Sequence, residues 1–505
     1  MDLSDSQVLH QSKHITGDRV KHKEYVWLGI FGFLLLILSA GIWHPMPDTT
    51  VYVNQARNFA TWDGLVHTMT HRLQATPGYA LLITPLFLFD ELPLAALTYF
   101  QALMLCVYML GVYVWARRFT PESAVLIAGA ASLHVCVWQY GMLVTTEAPF
   151  MASMIWSVIL FHRWVNEPDQ STRWKYLLGG ALLMCCCTLI RSAGLMIALG
   201  FAGYLIWENR KAGRALFKDA WSLLLWTGLP CLVVVLFVLQ QTLTGPDGLI
   251  HGTYLSGLTP SEDRDFLAFL GQGLYLRLTD MGRLAIPGMF KAYSTHGSWL
   301  HITMLLYIPL FIGLMAGWWK LLRQQRDALL LGFIPFLILH IAYARFEDGG
   351  RFLTPMLPAL MLMIWQMFKL IRLPQHQCML VLMVLHASVA IGLAIREHPR
   401  LVKVDEQWDS AQQCAELIIQ DPGKVYSIQE VNSFELQIRI FTNTTIRRKQ
   451  SYKAVDEHKP KWILRHHSKR DLHAYQSVWS DQEFQLLKRI TPEQAKSLTS
   501  KTPSM

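Results

Sequence analysis

Long apolar runs separated by short polar stretches dominate the chain up to residue 395. A helix needs roughly 20 residues to cross the hydrocarbon core of a bilayer, which is about 30 Å thick. Eleven runs are close to that length: 25–43, 94–115, 121–138, 147–164, 174–190, 192–207, 218–241, 299–319, 328–344, 352–371 and 377–395. A twelfth run, Tyr79–Phe89, is too short to cross, so we expect a juxtamembrane helix at the interface.

The basic residues support this count of spans. With eleven spans, one side of the membrane holds eighteen Lys and Arg up to residue 395 and the other side holds nine, although the second set of loops is longer. Cytoplasmic loops carry the excess of Lys and Arg. We therefore expect a multi-pass protein of the inner (plasma) membrane. Residues 1–24 should be cytoplasmic, and the loops 44–93 and 243–298 and the region 396–505 should lie outside the cytoplasm.

The composition is typical of a membrane protein. Hydrophobic residues make up 52% of the 505 residues and charged residues only 16%, whereas a soluble protein carries about 25% charged residues. The net charge of +9 arises mostly from loops that flank the spans, so we do not expect nucleic-acid binding. The eight cysteines lack the spacing of a metal or redox motif.

The region 396–505 is polar and alternates helical and β patterns. A helical pattern covers Gln407–Ile419. Short β-like runs cover Lys424–Ile428, Phe434–Ile440 and Lys461–Leu464. The predicted fold is an all-α polytopic membrane bundle over residues 25–395, followed by a small extracytoplasmic α/β domain that is an accessory or positions an acceptor.

The loop 44–93 carries more chemistry than a connection between two spans requires. Asp48 precedes Tyr52 and Arg57, and Tyr79 lies farther along the same loop. A carboxylate at a membrane interface can deprotonate an acceptor hydroxyl or amine. The surrounding sequence, Pro-Asp-Thr-Thr, is also typical of a helix N-cap, so both interpretations of Asp48 stay open.

Glu147 stands where the fourth span meets the outer surface, with no opposite charge nearby in sequence. A carboxylate at the edge of the hydrocarbon is costly, which favours a functional role. Helix capping, helped by Pro149 in the first turn, explains the residue equally well.

Three arginines are expected on the same outward side. Arg191 occupies a tight link between two spans, and Arg345 and Arg351 flank a pair of glycines. An arginine at a membrane surface can reach toward lipid headgroups, or it can grip a phosphate through two parallel hydrogen bonds. Three arginines beside two outward carboxylates favour a phosphate-bearing ligand next to an acid or a base.

Two further features of the outward loops carry weaker implications. The spacing of His67 and His71 would put both imidazoles on one helix face, and His44 and Asp48 are on the same loop. Such spacing can bind Zn²⁺, but no third ligand is fixed. A divalent metal therefore stays open, and we predict neither a metal nor another cofactor. The loop 243–298, with the charged run Ser261–Asp265, is either a lid or a solvated surface.

Five short motifs follow one another on the expected outward side. They are Asp48 with Tyr52 and Ala56, Pro77-Gly78-Tyr79, Thr146-Glu147-Ala148-Pro149, Leu189-Ile190-Arg191 with Gly194, and Arg351-Phe352 with Pro355 and Pro358. In this order they resemble motifs of the GT-C integral-membrane glycosyltransferases. That class includes protein O-mannosyltransferases, aminoarabinose transferases of lipid A and lipopolysaccharide-core transferases that use polyprenyl-phosphate sugars.

The resemblance implies roles for these residues. Asp48, the acid of the first loop, would act as general base on the acceptor, and Arg191 and Arg351 would hold the lipid phosphate. Glu147 would be a second acid of the pocket. The further candidates for binding the donor are Arg345, Tyr52, Arg57 and Tyr79. Many relatives have two adjacent acids where this chain has Asp48-Thr49, which argues against an acid pair or a bound metal.

The resulting hypothesis is an inverting membrane glycosyltransferase. It would move a sugar from a polyprenyl-phosphate carrier to an envelope lipid, glycan or protein on the extracytoplasmic side, in contact with membrane lipids. A non-enzymatic transporter or lipid flippase is the alternative. Transporters usually show internal repeats and helices interrupted at the membrane midplane, and we find neither in this sequence.

Overall fold

The fold is seen in a computed structural model. The residues described are 22–39, 47–70, 75–89, 93–213, 220–244, 266–286, 297–342, 349–423, 425–428, 437–439, 446–449, 461–466, 475–480 and 484–489.

Helices make up nearly all of the described chain up to residue 420. The α-helices are α1 His22–Ser39, α2 Pro47–Phe59, α3 Trp62–Thr70, α4 Gly78–Ile83, α5 Leu94–Ala116, α6 Ala124–Ser132, α7 Val135–Met142, α8 Glu147–Asn166, α9 Gln170–Ile190, α10 Gly194–Lys211, α11 Ala220–Leu223, α12 Leu229–Thr244, α13 Phe266–Ala285, α14 Gly297–Gln324, α15 Ala328–Ala342, α16 Leu357–Leu370, α17 Gln375–Glu406 and α18 Trp408–Gln420. Short 3-10 turns lie at Thr84–Leu88, Gly349–Phe352 and Thr354–Met356, and a π-helical turn lies at Leu224–Gly228.

Each of the eleven apolar runs expected to cross the membrane coincides with a helix or a succession of helices. Within the described residues, five helices are long and apolar enough to cross a bilayer, and one bent pair makes a sixth candidate. The five are His22–Ser39, Ala95–Ala116, Gln170–Ile190, Ala220–Leu243 and Gln375–His398. The protein is a helical multi-pass membrane protein, as predicted, while the number of eleven crossings stays a prediction.

The run 121–138 contains a break instead of one continuous helix. Helices α6 and α7 meet there at an angle of 56°. His134 is the N-cap of α7, because its backbone is extended and its Nδ1 accepts a hydrogen bond from the amide of Cys136 at 3.1 Å. A side-chain acceptor at this position starts a new helix, so the first one ends before it.

Helix α13 lies within the predicted loop 243–298, where the sequence patterns predict no helix. Its Arg277 is buried and donates to Asp280 through Nη1 at 2.6 Å and to the carbonyl oxygen of His340 through Nε at 3.0 Å. The part of the predicted loop that forms α13, residues 266–285, is therefore packed into the bundle. The charged run Ser261–Asp265 lies outside the described residues.

Helix α8 is the central element of the bundle. It packs along α5 and α9, and most of its side chains are buried. Gly111 of α5 permits the close approach, because a Cβ there would lie 2.5 Å from the Cγ2 atom of Ile155. Glu147, the first residue of α8, consequently lies inside protein and has no exposed surface.

The region after α17 forms the small α/β domain that the sequence predicts. The strands are β1 Val425–Ile428, β2 Ile446–Lys449, β3 Trp462–His466, β4 Tyr475–Ser480 and β5 Phe484–Arg489, in the sheet order β2-β1-β3-β5-β4. β1 pairs in parallel with β2 and β3, and β5 pairs antiparallel with β3 and β4. The predicted strand Phe434–Ile440 is wrong at its centre, because residues 437–439 are helical.

Within the described residues, a hydrogen bond joins this domain to helix α2. The side-chain amide of Asn54 in α2 donates to the carbonyl oxygen of Arg439 at 3.2 Å. The domain therefore contacts the helix that begins beside Asp48.

Asp327 ties three helices together at the end of α8 away from Glu147. Its buried carboxylate accepts hydrogen bonds from Arg118 at 2.9 Å and from Trp115 at 3.1 Å, and it lies 2.8 Å from Nε2 of His162. Its other oxygen accepts two backbone amides at the start of α15. His162 lies fifteen positions after Glu147 on α8, a distance of about 22 Å along the helix axis.

We expect Asp327→Ala to destabilise the protein strongly. The substitution leaves Arg118 without its counter-charge, and breaking a buried ion pair costs about 3–5 kcal/mol. Thermal unfolding of the purified protein in detergent measures the effect. Glu122→Ala is the matched control, because Glu122 is an exposed carboxylate between α5 and α6. Equal unfolding midpoints for the two variants would contradict the prediction.

Candidate active site

Four charged side chains from distant parts of the sequence meet in one ion-pair cluster, formed by Asp48, Glu147, Arg191 and Arg351. Oε1 of Glu147 accepts hydrogen bonds from Nη1 of Arg191 and from Nε of Arg351, the second at 2.5 Å. The guanidinium of Arg351 also pairs with Asp48, with 3.0 Å between Nη2 of Arg351 and Oδ2 of Asp48. Asp48 and Arg351 are 303 positions apart in sequence, so the tertiary fold alone brings them together.

The ion-pair cluster forms where several helices begin or end. Asp48 lies in the first turn of α2, and Glu147 is the first residue of α8. Arg191 directly follows α9, and Arg351 lies in the 3-10 turn Gly349–Phe352. Helix N-termini carry partial positive charge, which stabilises both carboxylates where they stand.

The contacts of these side chains differ from those of caps and surface groups. Asp48 lies inside α2, and Thr146 occupies the N-cap of α8 without a capping hydrogen bond. Arg191 does not extend toward headgroups: its side chain is only 17% exposed and donates to Oγ1 of Thr146 at 3.2 Å. Its guanidinium also lies 5.8 Å from the ring centre of Phe352.

Exposure separates the two acids of the ion-pair cluster. The side chain of Glu147 is 0% exposed, whereas that of Asp48 is 50% exposed. Arg351 lies between them with 15% exposure. A substrate that arrives from solvent or from the interface can therefore reach Asp48, whereas Glu147 is enclosed behind the arginines.

The protonation of Arg351 follows from its neighbours. Burial by itself disfavours the charged guanidinium, but Glu147 and Asp48 raise the pKa of Arg351 above its ordinary value. Arg351 is therefore a fixed cation. Two carboxylates and two arginines form the ion-pair cluster, so an incoming anion competes with the carboxylates for the arginines.

Tyr52 and Tyr79 pack together next to the ion-pair cluster. Tyr52 lies one helical turn after Asp48, and its ring meets the ring of Tyr79 edge to face, with 5.2 Å between the ring centres. Both side chains are buried. Burial raises the pKa of Tyr79 well above its ordinary value. The phenol therefore stays protonated and cannot act as a base.

The segment Thr76–Tyr79 supports the turn that carries Arg191. Oγ1 of Thr76 donates to the carbonyl oxygen of Ile190 at 2.8 Å. A Cβ at Gly78 would lie only 2.4 Å from the carbonyl carbon of Leu189. The Pro77-Gly78-Tyr79 motif thus contains glycine because two backbones touch there.

The remaining predicted site residues are Arg57, which the structure describes, and Arg345, which it does not. Arg57 lies nine positions after Asp48 on α2, which places it on the opposite face of that helix. Arg345, His71 and the side chain of His67 lie outside the described residues. In the part of the chain that is described, no group of three His, Cys, Asp or Glu side chains could hold a metal ion.

Sequence reasoning missed three residues that support the site. Thr146 and Phe352 contact Arg191 and stand directly beside Glu147 and Arg351, so their place in those motifs was a usable signal. Gln101 donates to the hydroxyl oxygen of Tyr79 and to the carbonyl oxygen of Thr145. Its only signal was a single amide within an apolar run.

Part of the sequence matches a known family. Residues 75–239 match the family model described as dolichyl-phosphate-mannose-protein mannosyltransferase. The matched stretch contains Glu147 and Arg191 and ends before Arg351. A search of curated proteins found no match.

The fold is similar to those of two solved glycosyltransferases. ArnT from Cupriavidus metallidurans, bound to undecaprenyl phosphate, matches with a TM-score of 0.55 and 12% identity, covering 93% of this chain and 98% of that chain. The oligosaccharyltransferase of Archaeoglobus fulgidus, in complex with Zn and sulfate, matches with a TM-score of 0.53 and 12% identity, covering 87% of this chain and 68% of that chain. The same archaeal enzyme tethered to an acceptor peptide matches with a TM-score of 0.51 and 14% identity, covering 88% of this chain and 69% of that chain.

These findings confirm the resemblance predicted from the sequence. The chain has the GT-C fold, and the family-model match and the fold agree on the predicted class of enzyme, a membrane glycosyltransferase. At these identities the solved structures define the fold only. The roles of the individual site residues stay predictions.

We expect Gly78→Ala to destabilise the protein, because the added Cβ would overlap the backbone at Leu189. Overpacking of this kind costs about 1–3 kcal/mol, and thermal unfolding in detergent measures it. The matched control is Gly179→Ala in α9, where a Cβ meets nothing within 4 Å. That variant should gain up to about 1 kcal/mol from helix propensity. An unfolding midpoint for Gly78→Ala at or above that of the control would rule the prediction out.

Proposed function

We propose that the chain transfers a sugar from a polyprenyl-phosphate carrier to an acceptor on the extracytoplasmic side of the inner membrane. The observation that carries the proposal is the ion-pair cluster, in which an enclosed carboxylate holds two arginines beside a half-exposed carboxylate. Breaking a sugar–phosphate bond requires cations at the phosphate and a base at the acceptor. The family description and the lipid phosphate bound to ArnT support the same class of donor.

Glu147 acts in this proposal as a positioning residue. It is fully enclosed, and one of its oxygens accepts hydrogen bonds from both arginines. A general acid or base has to contact the substrate, and the enclosed side chain of Glu147 is poorly placed for that contact. Its role is to hold Arg191 and Arg351 at the separation that a phosphate group requires.

The donor phosphate binds by exchange at Arg351. The bond from Nε of Arg351 to Glu147 is buried, whereas the bond from Nη2 to Asp48 lies at the exposed edge. The phosphate replaces Asp48 at Nη2 and approaches Arg191 at the same time. Asp48 loses its cation, and its carboxylate becomes available to the acceptor.

The transfer is a single displacement with inversion. Asp48 removes the proton from an acceptor O–H or N–H, and the freed electron pair forms a bond to the anomeric carbon. The bond from that carbon to the phosphate oxygen breaks, and its electron pair stays on the phosphate. Polyprenyl phosphate leaves with an additional negative charge, which Arg191 and Arg351 stabilise.

The acceptor approaches from the side of the C-terminal domain. Asn54, six positions after Asp48 on α2, donates a hydrogen bond to the carbonyl oxygen of Arg439. The domain therefore borders the helix that carries the proposed base. The excess of basic residues on the opposite side of the membrane supports an extracytoplasmic location of the site. An envelope lipid, a glycan and a protein all fit such an acceptor position.

We expect Asp48→Asn to reduce sugar transfer by roughly 10²- to 10⁴-fold, because the general base is lost while the size of the side chain is kept. Transfer from a labelled polyprenyl-phosphate sugar in proteoliposomes measures it. Asp63→Asn is the matched control, because Asp63 is an exposed carboxylate of the same outward loop. Unchanged transfer in Asp48→Asn would remove its proposed role, and labelled lipid that crosses the membrane without transfer would favour a flippase.

We expect Arg351→Lys to lower kcat/KM for the donor by roughly 10- to 100-fold. Lysine keeps the charge but cannot contact Glu147 and the phosphate through separate nitrogens, and hydrogen bonds to charged groups contribute about 1.5–3 kcal/mol. Steady-state kinetics with varied donor measure the loss. Arg326→Lys serves as control, because Arg326 pairs with Glu208 at the opposite end of the bundle. A loss of equal size in both variants would contradict the role of Arg351.

A further inference from the structure

Gln101 lies outside the ion-pair cluster but is bonded to two segments that support it. It is fully buried in α5. Its Nε2 atom donates to the hydroxyl oxygen of Tyr79 and to the carbonyl oxygen of Thr145, the second at 2.9 Å. Thr145 precedes Glu147 by two positions, and Tyr79 ends the segment that supports the Arg191 turn. Gln101 therefore links the segment that precedes Glu147 to the segment that supports Arg191.

The amide is poorly suited to its apolar surroundings. Its Oε1 atom has no hydrogen-bond partner among the described residues, and a buried oxygen without a partner is unfavourable. A leucine of similar volume would avoid this penalty at the same place in α5. What a leucine cannot supply is a pair of hydrogen bonds from one nitrogen to two separate segments.

The polarity of these bonds also determines how Tyr79 is held. Because Gln101 donates, the phenol oxygen of Tyr79 accepts, and the phenol hydrogen stays available for another acceptor. The ring of Tyr79 is held against Tyr52, one turn after Asp48. The adjacent backbone at Gly78 lies so close to the backbone of Leu189 that a Cβ at Gly78 would overlap it.

We propose that Gln101 is a positioning residue that sets the separation between Glu147 at the start of α8 and Arg191 after α9. It acts through Thr145 on one side and through Tyr79 and Gly78 on the other. The inference rests on the proposed function, since its consequence is measured as sugar transfer. If the separation changes, the arginines still bind a phosphate but match the charge of the transition state less well, so kcat falls more than the affinity for donor.

The test compares two buried glutamines in the full-length protein. Gln101→Leu and Gln101→Met remove the amide and keep similar volumes. We expect kcat to fall by roughly 10- to 100-fold, since small displacements near the reaction centre have effects of this size. The KM for the donor should change by less than about threefold. The matched control is Gln366→Leu in α16, a fully buried glutamine whose amide atoms lack partners in the described part of the chain, and its kcat should equal that of the parent protein.

A double-mutant cycle separates positioning from general packing. Tyr79→Phe removes only the hydroxyl that Gln101 contacts. If Gln101 acts through Tyr79, adding Gln101→Leu to Tyr79→Phe lowers kcat much less than Gln101→Leu does alone, because the two residues share one interaction. Fully additive losses would contradict this coupling and overturn the proposal.

The remaining outcomes also decide the question. Equal kcat for Gln101→Leu and Gln366→Leu would overturn the proposal and leave the proposed function intact. Activity lost only in proportion to lost folded protein, in both Gln101 variants, would mean a purely structural residue and would overturn it as well. No transfer by the parent protein from any polyprenyl-phosphate sugar would instead refute the proposed function, and the positioning role with it.

Discussion

The arrangement of the site depends on the enclosed carboxylate of Glu147. A buried charge without a partner costs several kcal/mol, and this carboxylate has no exposed surface. Arg191 and Arg351 both pair with its Oε1 atom, from two elements that are far apart in sequence. The link at Arg191 after α9 and the 3-10 turn Gly349–Phe352 are therefore fixed relative to the start of α8. The two guanidinium groups face one small region even before any ligand binds.

The two acids of the ion-pair cluster differ in how firmly they hold Arg351. Breaking a buried ion pair costs about 3–5 kcal/mol, whereas exposed pairs contribute about 0–1 kcal/mol. Glu147 belongs to the first kind, and Asp48, with half its side chain exposed, is closer to the second. An anion that competes for Arg351 therefore displaces Asp48 and leaves Glu147 in place. In the proposed function, this difference lets Arg351 serve both as a structural partner of Glu147 and as a group that binds the donor phosphate.

Much of this arrangement could be predicted from the sequence, because it depends on local patterns. Apolar runs located the helices, and the order of short motifs selected Asp48, Glu147, Arg191 and Arg351. The pairing of these residues could not be predicted, since it depends on contacts across as many as 303 positions. Helix α13 was missed because Arg277 and Asp280 read as a polar loop, although they neutralise each other inside the bundle. The break before α7 was missed because a histidine imidazole is an unusual helix cap.

A buried ion pair alone does not mark an active site, and Asp327 shows why. Like Glu147, it is a fully buried carboxylate paired with an arginine, Arg118, whose side chain is also 17% exposed. Both of its oxygens, however, accept hydrogen bonds from groups that belong to the bundle itself, including two backbone amides. Its contacts end inside the protein. The contacts of Glu147 continue through Arg351 to Asp48, which half faces the surroundings. In the proposed function, an anion enters the ion-pair cluster of Glu147 by replacing the exposed contact between Arg351 and Asp48. Among the described residues, the contacts of Asp327 include no such half-exposed carboxylate.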